Sequence, residues 1–206
     1  MHEILTKAKI IPVIQLPNAH CIIPLAEALL EAGIDTLEIT LRTQCALQAI
    51  ETLAKSNLPC HIAAGTLTST QHCNDVKNAG VDFAVSPGTN VAMLQQAQSI
   101  SLPLIPGIAT ATEALTAIEQ NCHILKFFPA NLYGGTKMLA NFNSFFPSTH
   151  FIPTGGITTA NASEYYQQAN VLAIGGSWLT PIKLIEEEKW PEITKIATEA
   201  LSLLSH

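Results

Sequence analysis

Ala28-Leu29-Leu30-Glu31-Ala32-Gly33-Ile34-Asp35-Thr36-Leu37-Glu38-Ile39-Thr40-Leu41-Arg42 holds one complete change of period. An apolar helical run stops at Gly33, where a helix commonly ends in the left-handed conformation. From Thr36 the residues alternate as in a strand, with Leu37, Ile39 and Leu41 on one face and Glu38, Thr40 and Arg42 on the other. Short β-branched runs of this kind recur at Ile10–Leu16, His61–Thr66, Phe83–Pro87, Leu102–Ile108, Ile124–Pro129, His150–Thr154 and Val171–Gly176. Their starts lie roughly 20–26 residues apart, the length of a strand, a helix and two short loops. Helical segments fall between them, among them Ala19–Ala32, Cys45–Ser56, Ser69–Ala79, Val91–Ser99, Thr112–Asn121 and Thr159–Gln168. Eight such units in 206 residues, with no Pro/Gly/Ser-rich linker, predict one α/β domain over residues 1–206, a (β/α)8 TIM barrel. A doubly wound open sheet is the alternative, but no Gly-x-Gly-x-x-Gly follows the first strand, which disfavours a nicotinamide cofactor.

Composition narrows the function. Apolar residues make up 48% and charged residues 13%, as suits a buried parallel sheet and a subunit interface. The net charge of −6 comes without runs of like charge, and the ten cationic residues are scattered, so neither nucleic acid nor a membrane surface is an expected partner. Cys21, Cys45, Cys60, Cys73 and Cys122 are odd in number and lack a Cys-x-x-Cys pair, which reads as reduced thiols in a cytoplasmic protein. The apolar run ending at Pro12-Val13-Ile14 is too short to span a membrane and has no cleavage site. His61, His72, His123 and His150 show no metal-ligand spacing, so no metal is expected.

In a barrel of this kind the chemistry gathers at the carboxyl ends of the strands. Lys126 interrupts Ile124-Leu125-Lys126-Phe127-Phe128-Pro129-Ala130, which otherwise reads as a buried strand. Burial disfavours the charged form of an amine and favours its attack on a carbonyl; a lysine that snorkels to water is the alternative. Glu38 and Arg42 share a strand face, either as a structural ion pair or as a proton carrier and a fork for a substrate carboxylate. Thr66 and Ser86-Pro87-Gly88 close the third and fourth strands, where the threonine can bond a substrate oxygen or its own turn. Thr154-Gly155-Gly156-Ile157 and Gly175-Gly176-Ser177-Trp178 follow the last two strands, the usual phosphate cradle of the architecture, although either glycine pair alone could be a tight turn. A phosphorylated small-molecule substrate is the expectation.

Glu38-Ile39-Thr40-Leu41-Arg42-Thr43, Ala64-Gly65-Thr66, Ser86-Pro87-Gly88, Ile105-Pro106-Gly107, Lys126-Phe127-Phe128-Pro129-Ala130, Pro153-Thr154-Gly155-Gly156-Ile157 and Gly175-Gly176-Ser177-Trp178, in this order, closely resemble the 2-keto-3-deoxy-6-phosphogluconate (KDPG) and 4-hydroxy-2-oxoglutarate (KHG) aldolases. The resemblance runs from the first strand to the C-terminal helix. It implies a metal-free, cofactor-free class I aldolase of the Entner–Doudoroff pathway, a (β/α)8 barrel assembled as a homotrimer. It further implies Lys126 as the Schiff-base lysine, Glu38 as general acid/base, and Arg42 with Thr66 as the clamp on the pyruvate carboxylate. Phe128 and Pro87 would line the pocket, and Gly155, Gly156, Gly176 and Ser177 would bind phosphate. Thr154 would also belong to the pocket, at the position where galactonate-specific relatives differ. The segment ahead of the first strand, Met1 to Lys9, is shorter than the N-terminal helix usual in that family. Two other readings remain at this level: a phosphate-binding barrel that works without a covalent intermediate, and a barrel that senses a sugar phosphate.

Overall fold

The structure, a computed structural model, describes residues 1–204. Strands form at each place where the β-branched runs predict them: β1 (Ile10–Ile14), β2 (Thr36–Thr40), β3 (His61–Gly65), β4 (Phe83–Val85), β5 (Leu104–Ile105), β6 (Gly107–Ile108), β7 (Ile124–Phe127), β8 (His150–Pro153) and β9 (Ile174–Gly176). All are paired in parallel. Six make one curled sheet in the order β5-β4-β3-β2-β1-β9, and three make a second in the order β6-β7-β8.

The expected fifth strand, Leu102–Ile108, is therefore two. Pro106 has no N–H to give to a ladder. Before it, Ile105 pairs with Val85 of β4; after it, Gly107 pairs with Lys126 of β7. The last strand meets the second sheet only through the bridges Phe151↔Val171 and Thr154↔Gly175. At the level of the regular ladder the fold is a curled six-stranded parallel sheet with a three-stranded companion, instead of one continuous eight-stranded ring.

The helices are α1 (His2–Ala8), α2 (Ile22–Glu31), α3 (Ala46–Ala54), α4 (Thr70–Ala79), α5 (Val91–Ser99), α6 (Ala111–Glu119), α7 (Gly135–Phe145), α8 (Ala162–Tyr166), α9 (Ile182–Glu186) and α10 (Trp190–Ser202). No helix among the described residues is long and apolar enough to cross a membrane. Two apolar layers follow from the two-residue period of the strands. Ile10, Ile14, Leu37, Ile39, Leu125 and Phe127 face outward into a core shared with helical residues such as Leu25, Leu29, Ile50 and Leu53. Ile11, Ala63, Phe83, Val85, Ile105, Ile152 and Ala173 face inward, and Leu5 and Ala8 of α1 pack against them from the amino ends of the strands. The seven-residue α1 thus closes that end with Leu5, which is fully buried. Lys7 and Asp35 tie the helix to the start of β2 at 2.9 Å. The carboxyl ends are left for polar groups.

Candidate active site

On β2 the inward positions are Thr36, Glu38 and Thr40, all buried. The Thr40 hydroxyl donates to the Ile14 carbonyl at 2.8 Å and so joins the upper parts of β1 and β2. From the far side of the curl, on β7, Lys126 brings its Nζ to 2.8 Å from Glu38 Oε1. The two side chains are only 8% and 6% exposed, so each charge is desolvated and rests on the other. Lys126 therefore does not snorkel to water, and Glu38 pairs with Lys126 and not with Arg42. The Phe128 ring lies against the same amine, its centroid 5.5 Å from Nζ.

Gly65 makes the contact possible. A Cβ built there would fall on Glu38 Oε1 and within 2.8 Å of Glu38 Cγ. Gly107, the ladder partner of Lys126, is similarly constrained, since a Cβ there would overlap the Pro87 carbonyl. The chain therefore gives up side chains on β3, beside Glu38, and on β6, beside Lys126, to fit the ion pair and its support.

A cavity of about 220 Å³ opens onto Lys126, with Arg42, Phe128 and Thr154 around it. Gly155, Gly156, Gly175 and Ser177 complete its polar wall, and Val13 and Ile157 its apolar one. Arg42, the only arginine in the chain, is exposed and has no hydrogen-bond or ion-pair partner among the described residues. Its five donors are free for an incoming carboxylate or phosphate. Thr154 Oγ1 is buried and also lacks a partner. Gly155 and Gly156 have φ of 96° and 73°, a region that glycine enters without strain.

Three expected residues stand elsewhere. Thr66 follows β3, outside the cavity wall, with φ 67°, an unusual conformation for a β-branched residue. Pro87 lines a neighbouring groove with Leu67 and Asn90 and supports Gly107 through its carbonyl. Gly176 does not line the cavity: a Cβ on it would fall on the Trp178 ring, so its lack of a side chain makes room for that indole. Gly175, which sequence reasoning did not select, is the member of that pair that lines the wall, and a Cβ on it would fall on Thr154 Oγ1. The signal for it was available, because position 175 keeps the inward parity of Ala173. No group of three or more His, Cys, Asp or Glu side chains that could hold a metal ion occurs among the described residues.

The arrangement joins an amine able to add to a carbonyl, a carboxylate in contact with it that can take or return protons, an unpaired guanidinium and a glycine-rich rim. Residues 1–196 match the model of the KDPG and KHG aldolase family. The chain is 40% identical over 199 residues to the KHG/KDPG aldolase of Escherichia coli strain K12, covering 97% of this chain and 93% of that protein. The KDPG aldolase of Legionella pneumophila, solved with pyruvate captured as a covalent carbinolamine, superposes with a TM-score of 0.94 at 38% identity and covers 97% of each chain. The KDPG aldolase of Zymomonas mobilis ZM4, solved with 3-phosphoglycerate, superposes with a TM-score of 0.88 at 32% identity, covering 96% of this chain and 93% of that one.

Proposed function

The chain belongs to the KDPG and KHG aldolase family, and from that premise we propose that it is a class I aldolase cleaving KDPG to pyruvate and glyceraldehyde 3-phosphate in the Entner–Doudoroff pathway. KHG, cleaved to pyruvate and glyoxylate, is its second substrate. The observation that carries the reading is the 2.8 Å contact between Lys126 Nζ and Glu38 Oε1 at the floor of a cavity that also presents Arg42.

In the first step Glu38 accepts a proton from the Lys126 amine, and the freed nitrogen adds to the C2 ketone to give a carbinolamine. Glu38 returns the proton to the carbinolamine hydroxyl, which leaves as water, and the nitrogen is now an iminium. The C4 hydroxyl then gives its proton to Glu38, the C3–C4 bond breaks, and its electron pair passes into the iminium to form an enamine. Glyceraldehyde 3-phosphate departs. Protonation at C3 and hydrolysis release pyruvate and restore the amine. Arg42 holds the carboxylate so that C2 faces the nitrogen. Phe128 and Thr154 shape the pocket, and the backbone of Gly155 and Gly156 with Ser177 receives the phosphate. KHG has no phosphate to place there and is therefore the poorer substrate.

We also infer that the two sheets together make one (β/α)8 barrel domain, expected over residues 1–206, of which 205 and 206 lie outside the described residues, since β5 and β6, parted only by Pro106, belong one to each sheet and Thr154↔Gly175 spans the other junction. The exposed Leu132, at 74%, and Phe145, at 61%, support a homotrimer that covers them. Five unpaired cysteines support a cytoplasmic setting.

Incubation with pyruvate and borohydride, followed by peptide mass spectrometry, tests the central step. A reduced pyruvyl adduct on Lys126 is expected. No adduct in folded protein would overturn the covalent mechanism in favour of the non-covalent barrel or the sensor.

A further inference from the structure

Asn161 precedes α8 at the position where an asparagine ordinarily turns forward to accept from the helix N–H groups. It makes no such bond. Its side chain turns back to the loop behind it: Oδ1 accepts from the Thr158 N–H at 2.8 Å, and Nδ2 donates to the Gly156 carbonyl at 3.1 Å. An N–H partner needs the oxygen and a carbonyl needs the nitrogen, so both contacts require the same orientation of the amide. Between the two anchored points run Gly156, with its φ of 73°, and Ile157, both on the cavity wall. The N–H groups of Gly156 and Ile157 donate to nothing among the described residues.

In a trans peptide the carbonyl and the following N–H point in opposite directions. A Gly156 carbonyl held on Asn161 therefore turns the Ile157 N–H to the other side of the loop. A diglycine has little conformational preference of its own, so without the brace this peptide plane is free to rotate.

We propose that Asn161 is a positioning residue that holds the Gly155–Thr158 loop in the shape that receives the phosphate of a phosphorylated keto-acid substrate. The inference rests on the reading that this loop binds the phosphate. Asn161 touches no reacting atom, so its influence falls on substrates that carry the anion and spares those that do not.

The test compares wild type, Asn161→Ala and Asn161→Asp with KDPG and with KHG, and measures inhibition of KDPG cleavage by inorganic phosphate. In both variants kcat/KM for KDPG is expected to fall by roughly tenfold, about 1.4 kcal/mol, mostly through KM. The inhibition constant for phosphate should weaken in parallel, while KHG cleavage and the borohydride adduct on Lys126 stay at wild-type level. The isosteric Asp variant guards against a folding failure in Ala. Loss confined to Asp would report a charge effect and overturn the brace. Equal losses on KDPG and KHG would reduce Asn161 to a structural residue and also overturn it. Wild-type enzyme that is insensitive to phosphate and does not prefer KDPG would overturn the phosphate reading itself, a result distinguishable from the other two because it needs no variant.

Discussion

A methyl group at position 65 would occupy the space of the Glu38 carboxylate, because β3 runs beside β2 with Ala63 opposite Glu38 and Gly65 opposite Thr40. Gly65→Ala is expected to swing that carboxylate off Lys126 and lower kcat by about 100-fold, since a misplacement of about 1 Å in a reacting group has that scale. Steady-state kinetics beside a thermal melt separates this from unfolding. Lys126→Ala should abolish turnover and also destabilise the fold by about 3–5 kcal/mol, because it leaves the Glu38 carboxylate buried and uncompensated. Adding Glu38→Gln to that variant should restore much of the stability and none of the activity, as urea unfolding and turnover measured together would show. Arg42→Lys keeps a cation but loses the fork; KM for both keto acids should rise about tenfold with a smaller change in kcat. Lys126, Glu38 and Arg42 were legible in the sequence as polar residues on apolar strands. Their pairing was not: Glu38 and Arg42 are close in the chain, whereas Glu38 and Lys126 are 88 residues apart and meet only because the sheet curls.

At the scale of an element, α6 shows local chemistry setting a boundary. The Thr110 side chain accepts from the Glu113 N–H while the Glu113 carboxylate accepts from the Thr110 N–H, a reciprocal cap. Burial by itself would raise the Glu113 carboxyl, but hydrogen bonds from the Ala109 N–H and from the Thr110 hydroxyl and N–H outweigh it and hold the group below its ordinary 4.5. A depressed carboxyl stabilises the fold above its unfolded value and loses that contribution as pH falls through the folded one. Glu113→Ala should therefore cost about 0.5–1 kcal/mol at pH 7, with the gap to wild type closing below pH 4.5 in denaturation curves. Element boundaries were readable where such caps or a terminal glycine stood, as at Gly80, whose φ is 94°. The start of α7 was not, because Gly134 and Gly135 ordinarily stop helices. Pro106 was a readable sign that its strand would divide, and the apolar run around it concealed the change of partner.

For the whole molecule, the decisive separation is between the two ends of the curl, one apolar and closed by α1, the other polar and open. Leu5→Ala should lower stability by about 2–5 kcal/mol in urea denaturation, with kcat and KM near wild type, because the cavity it leaves lies at the end away from Lys126. The repeating units and the polar strand ends made this architecture legible from the sequence. The closure by Leu5 was not, because a seven-residue segment carries too few turns for a periodic signal.

The pairing of β1 has a consequence for biosynthesis. One edge of β1 joins β2 early, but its other edge joins β9, with Ile10 opposite Ile174 and Pro12 opposite Gly176. On the ribosome that edge is made well before β9 and stays bare until residues 174–176 have followed, an open template for strands of neighbouring nascent chains. A premature stop ahead of residue 174 should therefore yield an insoluble product instead of a smaller folded one.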